Sequence, residues 1–356
     1  MSILDQPDRW ESLDPGDMGH LIQSFPAQIE GAAQMVRTLS LTSAAPIATV
    51  VVAGMGGSAI GGDVIRAMAT SWLEIPFLVC RGYRLPRFVG PSTVLFASSY
   101  SGNTEETLSA YEQARLAGAA IICVTSGGKL ASLAHSHGHP VMPLPSGLPP
   151  RAALGYSAVF LLGAMTALKL APDMSASLRE TVAVLKQLVA AYAPEVPVHK
   201  NRAKLMAHAI HGRIVALYAA NSILEPAAVR WRGQLEENAK NLAFHHLLPE
   251  MNHNELVGWE LPSRSLRQIA VVFLRDMEDH PQVQRRLDLT REIIARKASP
   301  VYEVWSEGES PLARIFSVIC LGDFVSLYLA CLNSVDPTPV PIIETLKQAL
   351  GRSPGD

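Results

Sequence analysis

Residues 48–62 read Ala48-Thr-Val-Val-Val-Ala53-Gly-Met-Gly-Gly-Ser58-Ala-Ile-Gly-Gly62. A short β-branched run opening into a glycine-rich loop is the joint between a buried strand and a helix. The spacing that follows predicts a helix over 63–72. The same joint recurs downstream. Residues 92–97 (Ser-Thr-Val-Leu-Phe-Ala) form an apolar strand, 98–104 (Ser-Ser-Tyr-Ser-Gly-Asn-Thr) a polar loop, and 105–117 a helix that Gly118 ends. Further strands are expected at 76–80, 120–125 and 140–144. Strands that are apolar along their whole length and alternate with helices predict an α/β fold, a parallel sheet covered on both faces. Ligands of such sheets bind beyond the carboxyl ends of the strands. Both polar loops fall there.

Farther along, residues 145–212 break the alternation. A turn-rich segment, PSGLPPRAALGYS, enters an apolar helix at 158–170, and a second helix is expected at 178–192. The sequence APEVPV at 193–198 looks like a linker. After Asn201 the first pattern returns: strand 213–219, a polar turn at Asn221-Ser222, helix 225–242, strand 268–274, helix 282–297 and strand 300–305. This recurrence predicts a diverged duplication of one α/β unit. The expected organisation is a helical extension at 1–42, a first unit at 43–195, and a second at 196–356 that ends in a helix over 342–350. The second copy reads Arg275-Asp-Met-Glu-Asp-His-Pro-Gln282 where the first has Ser and Gly, so only the first is equipped to hold an anion with these loops.

Composition narrows the function classes. The chain has 356 residues, and at about 150 residues per domain this predicts two domains. Lys and Arg total 30 against 32 Asp and Glu, a net charge of −2, which argues against a nucleic-acid binder. Hydrophobic residues make up 48% and charged residues 17%, so most of the chain can bury a core. Cys80, Cys123, Cys320 and Cys331 form no CxxC and predict reduced core thiols in a cytoplasmic protein, with no structural zinc. The acidic start, MSILDQPDRWESLDPGD, is not a signal peptide. Residues 315–332 are long and apolar enough to weigh as a membrane span, but Asp323 in their middle favours a buried core helix. Trp10, Trp72, Trp231, Trp259 and Trp305 are scattered, which suits packing. His135, His137 and His139 alternate in what reads as a polar loop after a helix.

Two constellations could carry chemistry. Loop 99–104 sets the hydroxyls of Ser99, Ser101 and Thr104 and the bare backbone of Gly102 before a helix start, where unpaired N–H groups favour a phosphate. The same residues also suit simple helix capping. Loop 54–62 is neither a dinucleotide fingerprint nor a Walker loop. It can supply a second wall of one phosphate pocket, through Ser58 and the amides of Gly56 and Gly57. With no lysine in either loop, a small sugar phosphate fits better than a triphosphate. The second constellation is Arg230-Trp-Arg-Gly-Gln-Leu-Glu-Glu-Asn-Ala-Lys240, followed by Pro249-Glu-Met-Asn-His-Asn-Glu-Leu256. Glu237 and His253 could work as acid and base. Alternatively, Glu236 and Glu237 with Lys240 form a solvated helix face, and His253 is a loop residue. His245 and His246 match no zinc spacing.

Taken together, GMGGSAIGGD, SYSGNTEET, PPRAALGYS, QLEENAK, PEMNHNE and VDPTPV resemble the bifunctional phosphoglucose/phosphomannose isomerase family, built from two sugar-isomerase (SIS) domains. The resemblance implies two tandem three-layer αβα domains. It implies that Gly57, Ser58, Ser99, Ser101 and Thr104 hold the 6-phosphate. Glu237 would move a proton between C1 and C2, and Arg151 would stabilise the enediolate. His253, supplied by the neighbouring subunit of a homodimer, would assist ring opening, with Lys347 as the second ring-opening group. Thr338 would line the pocket near C2 and C3. No cofactor and no metal are implied, and neither nucleic acid nor membrane is a partner. One departure is Glu236, before Glu237, where the family pattern predicts Asn or another polar residue. The chemistry is coherent with these roles: glucose 6-phosphate and mannose 6-phosphate differ only at C2 and share one enediol with fructose 6-phosphate. One carboxylate base, its proton affinity raised by burial, could serve both. A non-catalytic SIS-type sugar-phosphate regulator is the alternative, but it has no need of the Glu237, His253 and Arg151 set.

Overall fold

The computed structural model describes residues 2–6, 12–43 and 45–350. The first half carries strands β1 (Thr49–Ala53), β2 (Phe77–Cys80), β3 (Thr93–Ser98), β4 (Ala120–Thr125) and β5 (Val141–Pro143) in a parallel sheet of order β2-β1-β3-β4-β5. The second half carries β6 (Ile214–Ala220), β7 (Ala243–Leu248), β8 (Ile269–Arg275) and β9 (Val301–Trp305) in a parallel sheet of order β7-β6-β8-β9. Each sheet starts inside, steps outward one way, then crosses back to grow the other way. β6 thus takes the place of β1, β7 of β2, β8 of β3 and β9 of β4, as a duplication predicts.

The helices in chain order are α1 (Met18–Gln23), α2 (Phe25–Val36), α3 (Gly57–Ala69), α4 (Glu105–Leu116), α5 (Gly128–His137), α6 (Leu154–Ala167), α7 (Ser175–Tyr192), α8 (Arg202–Ile210), α9 (Glu225–Glu237), α10 (Pro281–Ile294), α11 (Pro311–Leu332) and α12 (Pro341–Leu350). Strand side chains alternate between faces. Val50, Val52, Val94 and Phe96 of the first sheet, and Val215, Leu217, Val272 and Leu274 of the second, enter one large shared core. The intervening residues Val51, Leu95 and Ile121 close a separate core on the outer face of the first sheet, and Tyr218, Val271 and Phe273 do so on the second. Met18, Phe25 and Ile29 of α1 and α2 sit in the shared core, so the N-terminal helices are part of the fold rather than an appendage.

Helix α11 is the one weighed as a membrane span. It is long and apolar enough by composition, yet it is buried inside the protein. Asp323 accepts from Arg230 Nε at 3.1 Å and Nη2 at 2.9 Å, a buried bidentate pair, so its mid-helix charge has a partner.

Several expected bounds move. The helix expected at 63–72 begins at Gly57 and ends at Ala69, so the glycine-rich loop is its first turn. The helix expected at 158–170 spans Leu154–Ala167. The helix expected to reach Leu242 stops at Glu237, and residues 243–248, between that helix and the polar stretch at 249–256, form strand β7, where no strand is expected. The physical reason is local: Lys240 adopts φ 55°, and its Nζ donates to the Glu237 carbonyl at 2.7 Å, which closes the helix end. His245 and His246 then alternate along an edge strand, and their polarity masks its pattern. Helix α8 has no counterpart among the expected elements, and α5 is expected only as the helix before the histidines. His135 and His137 lie in the last turn of α5, where His137 Nδ1 is 2.8 Å from the Tyr111 hydroxyl, instead of in a loop. Trp231 and Trp259 are buried and Trp305 stacks on the Arg275 guanidinium; Trp10 lies outside the described residues. Cys123, Cys320 and Cys331 are buried and free, and burial pushes the Cys123 and Cys331 thiols up to about 12.

Candidate active site

The first sheet reverses its direction of growth between β1 and β3, the crevice where doubly wound sheets bind ligands. Both polar loops open there. After β1, Gly56 with φ 48° turns the chain into α3. After β3, the loop leads to Thr104 at the cap of α4. The two loops are tied together. Tyr100 N donates to Ser58 Oγ at 3.0 Å, and Ser98 Oγ donates to the Ser58 carbonyl at 2.7 Å. The Ser99 and Thr104 hydroxyls share a hydrogen bond of 2.8 Å, so the Thr104 hydroxyl is directed across the loop and makes no capping bond to α4. Asn103 N donates to Ser101 Oγ at 3.2 Å. Gly102, at φ 68°, presses on the Gly127 carbonyl so closely that a Cβ would collide with it. That contact brings in a third loop, 125–128, which sequence reasoning passed over. The Ser126 hydroxyl donates to the Tyr100 carbonyl at 2.6 Å. The Thr-Ser-Gly-Gly composition at a strand's carboxyl end was the available signal.

Helices α3 and α9 pack antiparallel. Arg66 and Glu225 form an ion pair of 2.8 Å at one end. At the other, the first turn of α3 meets the last turn of α9. Arg151, in the 3-10 turn Pro150–Ala152, joins them. A Cβ on Gly57 would lie 2.9 Å from Arg151 N and from the Pro150 carbonyl, so only glycine lets these backbones meet. The Arg151 side chain then runs through the protein interior. Its Nε donates to Asn238 Oδ1 at 2.7 Å, Nη1 to Glu237 Oε2 at 3.3 Å, and Nη2 to the carbonyls of Pro337 at 2.6 Å and Thr338 at 2.7 Å. Burial pushes its proton affinity down and Glu237 pulls it back up; a guanidinium stays charged through such shifts. Asn238 is held in turn by its Nδ2 donating to Ser326 Oγ on α11 at 2.9 Å. Lys240 Nζ donates to the Asp336 carbonyl at 2.8 Å, which pins the 336–338 segment from its other side.

Of the two adjacent glutamates, Glu237 faces Arg151, with its side chain 33% exposed, less buried than expected for the base. Glu236 turns outward, 3.7 Å from Arg232 one turn earlier. Gly57, Ser58, Arg151, Glu237 and the backbone of Thr338 thus converge where the two halves meet. The Thr338 side chain packs on Gly16.

His253 is elsewhere. It lies in the turn Glu250–His253 beyond the carboxyl end of β7, while Glu237 precedes the amino end. A strand of six residues runs about 20 Å, so the two flank opposite edges of one sheet. The turn is held by His253's neighbours. Asn252 Nδ2 donates to Thr290 Oγ1 at 2.8 Å, and Glu255 accepts from the buried Tyr218 hydroxyl and stands 2.7 Å from His246 Nδ1. Trp259 Nε1 donates to that same hydroxyl at 3.1 Å. His253 itself is left exposed. Lys347 is exposed on α12. His246 on β7 is engaged by Glu255, so it has a structural use.

The description "Bacterial phospho-glucose isomerase C-terminal SIS domain" matches residues 199–350. The chain is 44% identical over 330 residues to the bifunctional phosphoglucose/phosphomannose isomerase of Caldicellulosiruptor bescii, covering 92% of this chain and 97% of that one. The chain belongs to the bifunctional phosphoglucose/phosphomannose isomerase family. Its likeness to the family protein of Aquifex aeolicus is 37% over 86% of this chain and 91% of that one. A solved structure titled a glucose-6-phosphate isomerase like protein from Thermus thermophilus superposes with a TM-score of 0.65 at 19% identity, over 98% of this chain and 99% of that one, and it shows the shared fold. This phosphoglucose/phosphomannose isomerase family member therefore has the doubled parallel-sheet architecture that its motifs imply.

Proposed function

We propose that the chain interconverts glucose 6-phosphate and mannose 6-phosphate with fructose 6-phosphate through a cis-enediolate, with Glu237 as the proton carrier. The single observation that carries this reading is the Arg151–Glu237 contact beside the phosphate loops. The Glu237 carboxylate takes the proton from C2 of the open-chain aldose, and negative charge develops on O1 as the C1–C2 double bond of the enediolate forms. The hydroxyl proton passes from O2 to O1, and Glu237 returns the carbon proton at C1 as O2 becomes the ketone oxygen. Nη1 of Arg151, on the carboxylate's side of the pocket, stabilises that charge, and water exclusion strengthens the effect. Gly57, Ser58, Ser99, Ser101 and Thr104 hold the phosphate, whose binding energy positions C1 and C2 against the base. Rotation about C2–C3 in the enediolate exposes either face of C2, so one base makes both aldoses.

Ring opening falls to His253 and Lys347. The separation of His253 from Glu237 along β7 supports supply of His253 by the second subunit of a homodimer. The same reading takes 43–195 and 196–356 as the two SIS units, 1–42 as the extension, and the cytoplasm as the setting.

Protein freed of metal with EDTA and given fructose 6-phosphate should form both aldoses. Glu237→Gln should lower both rates together by about 10²–10⁴-fold. Turnover that survives in Glu237→Gln, or one aldose lost while the other persists, would overturn the shared-base mechanism.

A further inference from the structure

Ala152, next to Arg151 in its turn, is tied to a residue 124 positions earlier in the chain. That residue is Gln28 of α2, which is 4% exposed. Its Nε2 donates to the Ala152 carbonyl at 2.8 Å and to Ser24 Oγ at 3.1 Å. Its Oε1 is buried without a partner among the described residues. An unpaired amide oxygen is costly to bury. Phe25, Ile29 and Ala32 lie on the same side of α2 and belong to the shared core, so an apolar side chain would suit position 28 better for stability alone. A local break in the core pattern of this kind points to a functional use. The acceptor is matched to it. The hydrogen-bond ladder of α6 begins with Ser157 N on the Ala153 carbonyl at 3.1 Å, so the Ala152 carbonyl stands ahead of the ladder and takes its bond from Gln28. A Cβ on Gly155 would lie 2.8 Å from Gln28 Cβ, so α2 and the start of α6 meet here with no slack.

The same N-terminal stretch reaches the far end of the arginine. Asp14 accepts from the N–H groups of Met18 at 2.8 Å and Gly19 at 2.7 Å. Gly16, inside that loop, lies so close to the Thr338 side chain that a Cβ would collide with it. The Thr338 carbonyl is one of the acceptors of Arg151 Nη2. We infer that Gln28 is a positioning residue for the proton transfer: it fixes the turn from which the Arg151 side chain starts, while Gly16 backs the segment where that side chain ends. The inference rests on the reading of Arg151 as the group that meets the enediolate charge. A guanidinium stabilises developing charge when it is placed for it beforehand, and a shift of about 1 Å costs up to about a hundredfold in rate. The phosphate loops have their own ties through Ser58, Ser98 and Tyr100, so loss of the Gln28 bond falls on kcat rather than on KM.

Gln28→Met keeps the length of the side chain and removes its donor. It should still melt cooperatively, lower kcat for both aldoses by about ten- to a hundredfold, and change KM by less than about threefold. Ser24→Ala keeps the carboxamide and removes only the hydroxyl that steadies it. Its kcat should fall by about two- to tenfold, with KM again little changed. In an Arg151→Lys background Gln28→Met should cost little more, since both changes act through one guanidinium. A folded Gln28→Met protein with wild-type kcat, or one whose full loss adds to that of Arg151→Lys, would overturn the inference. Should Gln28→Met fail to fold, an unchanged kcat in Ser24→Ala overturns it. Arg151→Lys with wild-type kcat removes the reading of Arg151 itself and this inference with it, whereas a costly Arg151→Lys beside a fully active Gln28→Met removes the inference alone.

Discussion

Arg151 organises the site because its contacts come from three distant stretches of chain. It bonds Glu237 and Asn238 from one, the carbonyls of Pro337 and Thr338 from another, and its own backbone abuts Gly57. Its planar guanidinium holds five N–H donors in fixed directions, a geometry that a point-like ammonium does not reproduce. Arg151→Lys should therefore lower kcat by about 10²–10³-fold, with a smaller change in KM, in steady-state assays with either aldose. An unchanged kcat would show that the guanidinium does not meet the developing charge. The glutamate pair shows how far sequence reading goes at this scale. The motif marks the helix end as chemical, but only the packing separates Glu237, against Arg151, from Glu236, against Arg232. Asn238 and Lys240 belong to the same motif, and their positioning roles depend on Ser326 and Asp336, which no local spacing reveals.

At the scale of elements, strand and helix order was readable where burial imposed an unbroken apolar run. β1, β3, β4, β6 and β8 are such runs. β7 was not, because an edge strand half open to solvent tolerates His245 and His246 and loses the pattern. Helix bounds moved where backbone conformation decides them: Gly56 at φ 48° starts α3 early, and Lys240 at φ 55° ends the chain's approach to β7. Helix α11 was read correctly as core because of one acid. Its charge is neutralised by Arg230 on α9, so the pair also locks α9, and with it Glu237, against α11. Asp323→Leu leaves Arg230 buried and uncompensated and should cost about 3–5 kcal/mol in denaturant unfolding. The double variant Arg230→Met with Asp323→Leu should recover most of that loss. A single variant as stable as wild type would remove the pair from this role.

For the whole molecule, the doubled fold divides the work. The first sheet presents helix starts and hydroxyls at its carboxyl edge, and α9 of the second half delivers Glu237 to them. A shared core fixes this meeting, since β1, β3, β6 and β8 all feed it. The duplication was legible because it repeats along the chain. The position of His253 was legible as a motif but not as a distance, because only the fold shows it beyond the far end of β7. The central claim is proton transfer by Glu237. Its most direct test is turnover of fructose 6-phosphate in D2O, with the deuterium content at C2 read in both aldoses. The Glu237 side chain is 33% exposed, which gives the proton it carries a route to exchange with solvent. Deuterium should therefore enter C2 of both glucose 6-phosphate and mannose 6-phosphate, and Glu237→Gln should slow its entry into both alike. Deuterium that enters C2 as fast in Glu237→Gln as in the wild type would contradict transfer by this carboxylate.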